Sequence, residues 1–157
     1  MKFSSVMLKD ASVKSNSAGN RGGGVLVAQS TLTVLSGSQI SGNVASKSGG
    51  GAFALEAASI MLGEGASAIG NSAVDTGGAF WLEDSVLDVS GSCINQNTAG
   101  SRGGGVYGFK MVCTLRQGAS VTGNAASFGG GFFIASSIMS VLSGSSIEGN
   151  KALLSGG

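Results

Sequence analysis

The stretch Ile94-Asn95-Gln96-Asn97-Thr98-Ala99-Gly100-Ser101-Arg102-Gly103-Gly104-Gly105 decides the fold, because the chain spells its outline six times. The core of the pattern is an aliphatic residue or Ala, two residues, Asn, one residue, Ala. The copies are Val13-x-x-Asn16-x-Ala18, Ile40-x-x-Asn43-x-Ala45, Ala68-x-x-Asn71-x-Ala73, Ile94-x-x-Asn97-x-Ala99, Val121-x-x-Asn124-x-Ala126 and Ile147-x-x-Asn150-x-Ala152. A glycine cluster follows each: Gly22 to Gly24, Gly49 to Gly51, Gly77-Gly78-Ala79, Gly103 to Gly105, Gly129 to Gly131, and Gly156-Gly157. Successive motif asparagines are 27, 28, 26, 27 and 26 positions apart. A fixed period of this size marks a solenoid, in which each repeat buries its apolar face only against its neighbours.

Working outward from the asparagine, each period holds three short β-prone runs. The first follows the glycines: Val25-Leu26-Val27, Ala52-Phe53-Ala54, Phe80-Trp81-Leu82, Val106-Tyr107-Gly108 and Phe132-Phe133-Ile134. The second reads Leu32-Thr33-Val34, Ile60-Met61-Leu62, Leu87-Asp88-Val89, Cys113-Thr114-Leu115 and Met139-Ser140-Val141. Its outer members are apolar and its middle mostly polar, which is the alternation of a strand with one buried face. The third is the run into the asparagine. A glycine stands six residues before the Asn (Gly37, Gly65, Gly91, Gly118, Gly144), with Asp10 in that place in the first copy. These runs are too short for amphipathic helices. They predict an all-β chain: a parallel β-helix of about 27 residues per coil, with three short strands per coil. Residues 1–157 then form a single domain, with repeat boundaries near 24, 51, 79, 105 and 131. Coils stacked about 4.8 Å apart turn equivalent residues into columns. A column of buried asparagines can satisfy its amides on itself and on turn backbone. This reading makes Asn16, Asn43, Asn71, Asn97, Asn124 and Asn150 a structural ladder. The complete absence of proline agrees, since Pro removes a ladder hydrogen bond from a central strand.

The paired motifs resemble the GGAI and FxxN repeats of the chlamydial polymorphic outer-membrane proteins. The first appears here as Gly-Gly-Gly-Val-Leu (22 to 26), Gly-Gly-Gly-Ala-Phe (49 to 53), Gly-Gly-Ala-Phe-Trp (77 to 81), Gly-Gly-Gly-Val-Tyr (103 to 107) and Gly-Gly-Gly-Phe-Phe (129 to 133). The second carries Ile, Val or Ala where that family has Phe. The resemblance covers nearly the whole chain. It implies a right-handed single-stranded parallel β-helix of the pectin-lyase-like type, exported as a surface passenger with adhesive roles, and so an extracellular or cell-surface location. Glycans or surface proteins are the expected partners. Further β-helix coils of a longer parent protein are expected beyond this segment.

Composition narrows the alternatives. A net charge of +1 with scattered charges gives no field for nucleic acid. No run approaches the roughly 20 apolar residues of a membrane helix, so insertion by this segment is not expected. The opening MKFSSVMLKD lacks the apolar core of a signal peptide. There is no His, which removes Ser–His and Cys–His catalysis, and two cysteines without His do not make a zinc site. Cys93 and Cys113 fall in different columns and are expected as free thiols. No motif asparagine has Ser or Thr two places on, so none is a glycosylation acceptor.

Three groups of residues carry candidate chemistry. Leu26, Phe53, Trp81, Tyr107 and Phe133 share one column of the first run. Facing out, they would offer an aromatic strip for sugar rings or a partner; facing in, they are core. The residues on either side are apolar too, so parity leaves the direction open; the reading taken here is partial exposure, with Phe53, Trp81 and Tyr107 as binding candidates. The second group is acidic. Glu83, Asp84 and Asp88 are close in sequence, and column counting stacks Gln29, Glu56, Asp84 and Lys110. An enzyme alternative, a pectate-lyase-like lyase or hydrolase of acidic polysaccharide, would use Glu56, Glu83, Asp84 and Asp88, with Ca²⁺ as its only cofactor. Against it stands the uniform period, which leaves no coil with an inserted loop to wall a cleft. The expected bland reading is a solvated edge with an Asp84–Lys110 surface pair. Arg21 and Arg102, before two glycine clusters, are expected to be solvated. The third group, the middle of the second run (Thr33, Met61, Asp88, Thr114, Ser140), is too irregular for a matched ice-binding array.

Overall fold

The structure, a computed structural model, describes residues 4–142 and 144–157. It is an all-β parallel solenoid of about six turns, without helices among the described residues. Four sheets wall it. Sheet I contains Val25–Ala28, Ala52–Leu55, Phe80–Glu83, Val106–Phe109 and Phe132–Ala135. Sheet II contains Ser5–Leu8, Thr31–Val34, Ser59–Leu62, Val86–Ser90, Val112–Arg116 and Ile138–Val141. Sheet III contains Ser12–Lys14, Gln39–Ser41, Ser67–Ile69, Cys93–Asn95, Ser120–Thr122 and Ser146–Glu148. These three match the three expected runs. Sheet IV was not expected: Ser17–Ala18, Val44–Ala45, Ser72–Ala73, Thr98–Ala99, Ala125–Phe128 and Lys151–Ser155. Most of its strands are two residues long, which is too short to show a period in sequence.

Between the sheets lie four corners, and each is made by a residue at positive φ. From sheet I to II these are Gln29, Glu56, Asp84, Lys110 and Ser136, at φ 46 to 58°. From II to III they are Gly37, Gly65, Gly91, Gly118 and Gly144, with Asp10 (φ 50°) in the same column. From III to IV they are the residues just before each motif asparagine: Ser15, Gly42, Gly70, Gln96, Gly123 and Gly149. From IV to I they are the first glycines of the clusters, Gly22, Gly49, Gly77, Gly103 and Gly129. A left-handed residue reverses the curl of an extended chain within one step, and this is why so short a coil closes.

Two of the three departures from 27 residues fall in these corners, and the third falls inside a strand of sheet IV. The 28-residue interval carries an extra left-handed residue, Ala57 (φ 61°), beside Glu56. The following 26-residue interval lacks one residue between Val86 and Gly91. The last lacks one between Asn124 and Gly129, and there the pairing of Ala125–Phe128 with Lys151–Ser155 slips between Ala126 and Phe128. Elsewhere the strands stay in unbroken register.

The inward columns make a narrow apolar core. In one coil Phe80, Leu82, Leu87, Val89 and Ile94 are all fully buried. Each such side chain contributes roughly 1.5–3 kcal/mol by leaving water. The asparagine ladder runs beside this core. Asn71 Nδ2 donates to Asn97 Oδ1 (3.0 Å) and to the Ile40 carbonyl (2.9 Å), while Asn71 N–H also donates to Asn97 Oδ1 (2.9 Å). The same set recurs at Asn43, Asn97 and Asn124. These four asparagines are fully buried, and both amide hydrogens and the amide oxygen are used. The spacing Ile-x-x-Asn thus has a cause: the aliphatic residue fills the core, and its carbonyl receives the amide from the next coil.

The glycine clusters permit the stack at its closest approach. Gly50 N–H donates to Gly77 O at 3.1 Å, backbone against backbone. A Cβ on Gly50 would strike the carbonyls of Gly78 and Ser72. The third place of the cluster is less tight, since Ala79 occupies it fully buried. Two outcomes follow for urea unfolding. Gly50→Ala destabilises by several times more than Gly51→Ala. Asn97→Ala, which strands donors of Asn71, destabilises by on the order of 3 kcal/mol; a change below about 1 kcal/mol would refute the ladder as a structural necessity.

Candidate functional site

With the inward side assigned to the core, the outward columns are what the protein presents. On sheet I, Val27, Ala52, Ala54, Phe80, Leu82 and Val106 are buried, so the alternate column faces out. That column is Leu26, Phe53, Trp81, Tyr107 and Phe133, aligned strand by strand. The four rings stack nearly parallel. Centroids are 4.1 Å apart for Phe53–Trp81, 5.8 Å for Trp81–Tyr107 and 5.6 Å for Tyr107–Phe133, with interplanar angles of 5°, 10° and 2°.

Stacking along the column has a chemical consequence. Each ring turns its face to its neighbour, so what meets solvent is ring edge, the positive rim of the quadrupole. Trp81, Tyr107 and Phe133 are half-buried, whereas Phe53 is only 1% exposed and acts as floor. Two arginines explain part of this cover. The Arg21 guanidinium lies 4.9 Å from the Phe53 ring centroid and that of Arg102 lies 5.2 Å from Phe133. Both come from the column that bridges Arg21, Ser48, Thr76, Arg102 and Phe128 beside the glycines. Arg21 and Arg102 are exposed, in keeping with the solvated reading, and each in addition lies over a ring; the signal for those contacts is their shared place one residue before the cluster. The second outward column of sheet I carries Leu55, Glu83 and Phe109, and Lys110 Nζ sits 5.2 Å from the Phe109 centroid.

The acidic candidates do not converge. Glu56 and Asp84 occupy the left-handed corner between sheets I and II, both exposed. Gln29 Nε2 donates to Glu56 Oε2 at 2.9 Å. Glu83 stands on the outer face of sheet I, half-buried. Asp88 lies on the outer face of sheet II, where Arg116 holds it through Nε (3.0 Å) and Nη2 (2.8 Å). The carboxylate, by hydrogen bonding first and charge second, pushes the guanidinium further above its ordinary value. This is the one ion pair among the described residues, so the expected Asp84–Lys110 pair is not formed there. Nor do three or more Asp, Glu or Cys side chains gather anywhere among them in a way that would hold a metal.

Both cysteines are free thiols. Cys113 is core, and burial, helped by the Asp88 charge, pushes its thiol up to about 12. Cys93 faces out on sheet III, partly covered, and burial raises it as well. It borders a shallow groove of about 390 Å³ floored by Gly65, Gly91, Gly118 and small residues. Compared with family models, with curated proteins and with solved structures, the chain matches none.

The thiols give a direct check on the inward and outward assignment. Only thiolate reacts with a maleimide. In the folded protein at neutral pH, labelling is confined to Cys93 and is slow; Cys113 labels only in denaturant. Modification of native Cys113, read by peptide mass, would contradict the register of sheet II.

Proposed function

We propose that this chain is a structural and adhesive β-helix segment, displayed at a cell surface or outside the cell, which binds glycans or proteins along the outer face of sheet I. The observation that carries the reading is the outward column of Trp81, Tyr107 and Phe133, edge-on to solvent and flanked by Arg21 and Arg102. The fold requires apolar residues inward and special residues at corners; it does not require aromatics here. Their outward recurrence in four successive coils therefore needs another reason. An edge-presenting stack suits acceptors, such as sugar hydroxyls or peptide carbonyls, better than it suits a ring laid flat. The resemblance to chlamydial polymorphic outer-membrane and pectin-lyase-like repeats supports surface display. The coil lengths support a scaffold over an enzyme, since intervals vary by two residues at most and leave no wall for a cleft.

The experiment is retention of the purified chain on a panel of neutral and acidic glycans and of extracellular proteins, scored also for chain cleavage with and without Ca²⁺. Retention without cleavage is expected. Trp81→Ala or Tyr107→Ala weakens it roughly tenfold, equivalent to about 1.4 kcal/mol, and Asp84→Ala leaves it unchanged. Cleavage abolished by Asp84→Ala would replace this reading with the lyase or hydrolase alternative.

A further inference from the structure

The outer face of sheet II carries a hollow that neither the ladder nor the aromatic column accounts for. Two omissions border it. Just past the inward residues Val34, Leu62, Val89 and Leu115, the chain places Leu35, Gly63, Ser90 and Arg116 side by side. Gly63 stands among larger neighbours, yet it is not one of the left-handed glycines, so its backbone does not demand it. A Cβ there would come 3.2 Å from Leu35 Cδ2. The second omission is the residue missing before Gly91. Ser90 alone separates it from Val89, where two residues separate Leu62 from Gly65 and Leu115 from Gly118. Over these two places lies a cavity of about 220 Å³.

Its lining changes along the solenoid axis. Leu35 and Met61, from two successive coils, make one part apolar, and Met61 is exposed to it at 39%. Asp88, Ser90 and Arg116, from the next two coils, make the other part polar. Ser90 Oγ donates to the Gln117 amide oxygen and so ties that side chain across the shortened corner. Arg116 gives its Nε hydrogen and an Nη2 hydrogen to Asp88, while its Nη1 makes no hydrogen bond among the described residues. Each Asp88 oxygen accepts one of these bonds and keeps a lone pair for another. Guanidinium donors and carboxylate acceptors thus stand next to each other with no net charge.

We propose that this cavity seats one neutral sugar ring, held through two adjacent hydroxyls. A hydroxyl both donates and accepts, so a neighbouring pair matches a donor beside an acceptor. One hydroxyl donates to Asp88, the other accepts from Arg116 Nη1, and the C–H face of the ring lies over Met61 and Leu35. Few polar groups on an apolar lining is the usual make-up of a small-molecule site. The charge balance selects among sugars. Arg116 is already offset by Asp88, so a uronate finds no unpaired cation and an amino sugar no unpaired anion. Size selects too: the volume lies below the roughly 300–1,000 Å³ of sites for drug-sized ligands, so a single ring enters and a length of chain does not. The site is on a different sheet from the aromatic column and does not depend on the binding proposed for sheet I.

Nuclear magnetic resonance titration of the isotope-labelled chain tests it, read at the backbone amides of Gly63 and Ser90. The probes are glucose, galactose and mannose, with galacturonate as the charged counterpart and propionamide standing for an Asn or Gln side chain of a protein. Saturable shifts are expected with at least one neutral hexose, and several-fold weaker binding with galacturonate. Arg116→Lys keeps a cation beside Asp88 but loses the planar fork, and weakens hexose binding about tenfold. Gly63→Ala, which narrows the floor, weakens it several-fold. Should that variant fail to fold by circular dichroism, Met61→Ala at its exposed position gives the same loss from the apolar side. Trp81→Ala leaves the shifts unchanged. The proposal is overturned if no neutral hexose shifts Gly63 and Ser90, if galacturonate binds as well, or if Arg116→Lys binds like the parent. Shifts from propionamide without shifts from a hexose overturn it in favour of a protein side chain, and shifts lost in Trp81→Ala move the sugar to sheet I.

Discussion

A buried amide in this molecule takes its partners from the coil above and from the coil below, and never from its own. That constraint organises the rest. For Asn71 Nδ2 to reach both Asn97 Oδ1 and the Ile40 carbonyl, three successive coils must share one register and one spacing. Any shift in one coil would leave buried donors and acceptors unpaired in two others, at about 1–3 kcal/mol each. The strands that flank the core therefore keep their register, and length variation is driven into the corners and into sheet IV. The extra Ala57 and the shortening before Gly91 lie in corners. The shortening before Gly129 lies within the strand Ala125–Phe128 of sheet IV, and it is the one that breaks a pairing register.

Where a residue's role is set by that constraint, the sequence alone reveals it. The ladder, the inward columns of sheets II and III, and the glycine clusters each repeat one chemistry at one phase, because one physical demand recurs in every coil. Sheet IV escaped because two residues cannot display alternation. The corner before each asparagine escaped for a different reason. Gly42, Gly70, Gly123 and Gly149 signal a left-handed turn, but Ser15 and Gln96 adopt the same conformation and blur the column.

The acidic column illustrates how a structural demand can imitate a site. Gln29, Glu56, Asp84, Lys110 and Ser136 align because each turns the chain from sheet I to sheet II at positive φ. Polar side chains are tolerated there because the corner is exposed, and their charges differ from coil to coil as a solvated position allows. Column counting found the alignment correctly, but the cause is backbone geometry, which sequence shows only where glycine supplies it. The direction of the aromatic column was hidden by the opposite feature. In sheet I both parities are apolar, so no alternation distinguishes core from surface. Burial separates them: Phe80 and Leu82 are sealed, and Trp81 between them is not.

The outward columns are where this fold leaves freedom, and they mostly use it. The middle column of sheet II passes through Thr33, Met61, Asp88, Thr114 and Ser140 with no shared property. Against that variety, four consecutive rings on sheet I are an exception that needs a cause. Mutual stacking supplies part of one, at about 0.5–1.5 kcal/mol per pair. It does not account for arginines placed over the rings at Phe53 and Phe133, because a stack sought for stability alone is better served by buried aliphatic residues than by half-exposed rings. A rigid row of ring edges beside two guanidinium groups is costly to keep clear of water and well suited to being covered. The same rigidity that locks the ladder holds these rings in position, so a ligand meeting them loses little freedom in the protein. The stiffness of the coil stack is thus what the ladder would contribute to the proposed recognition on a face it does not touch.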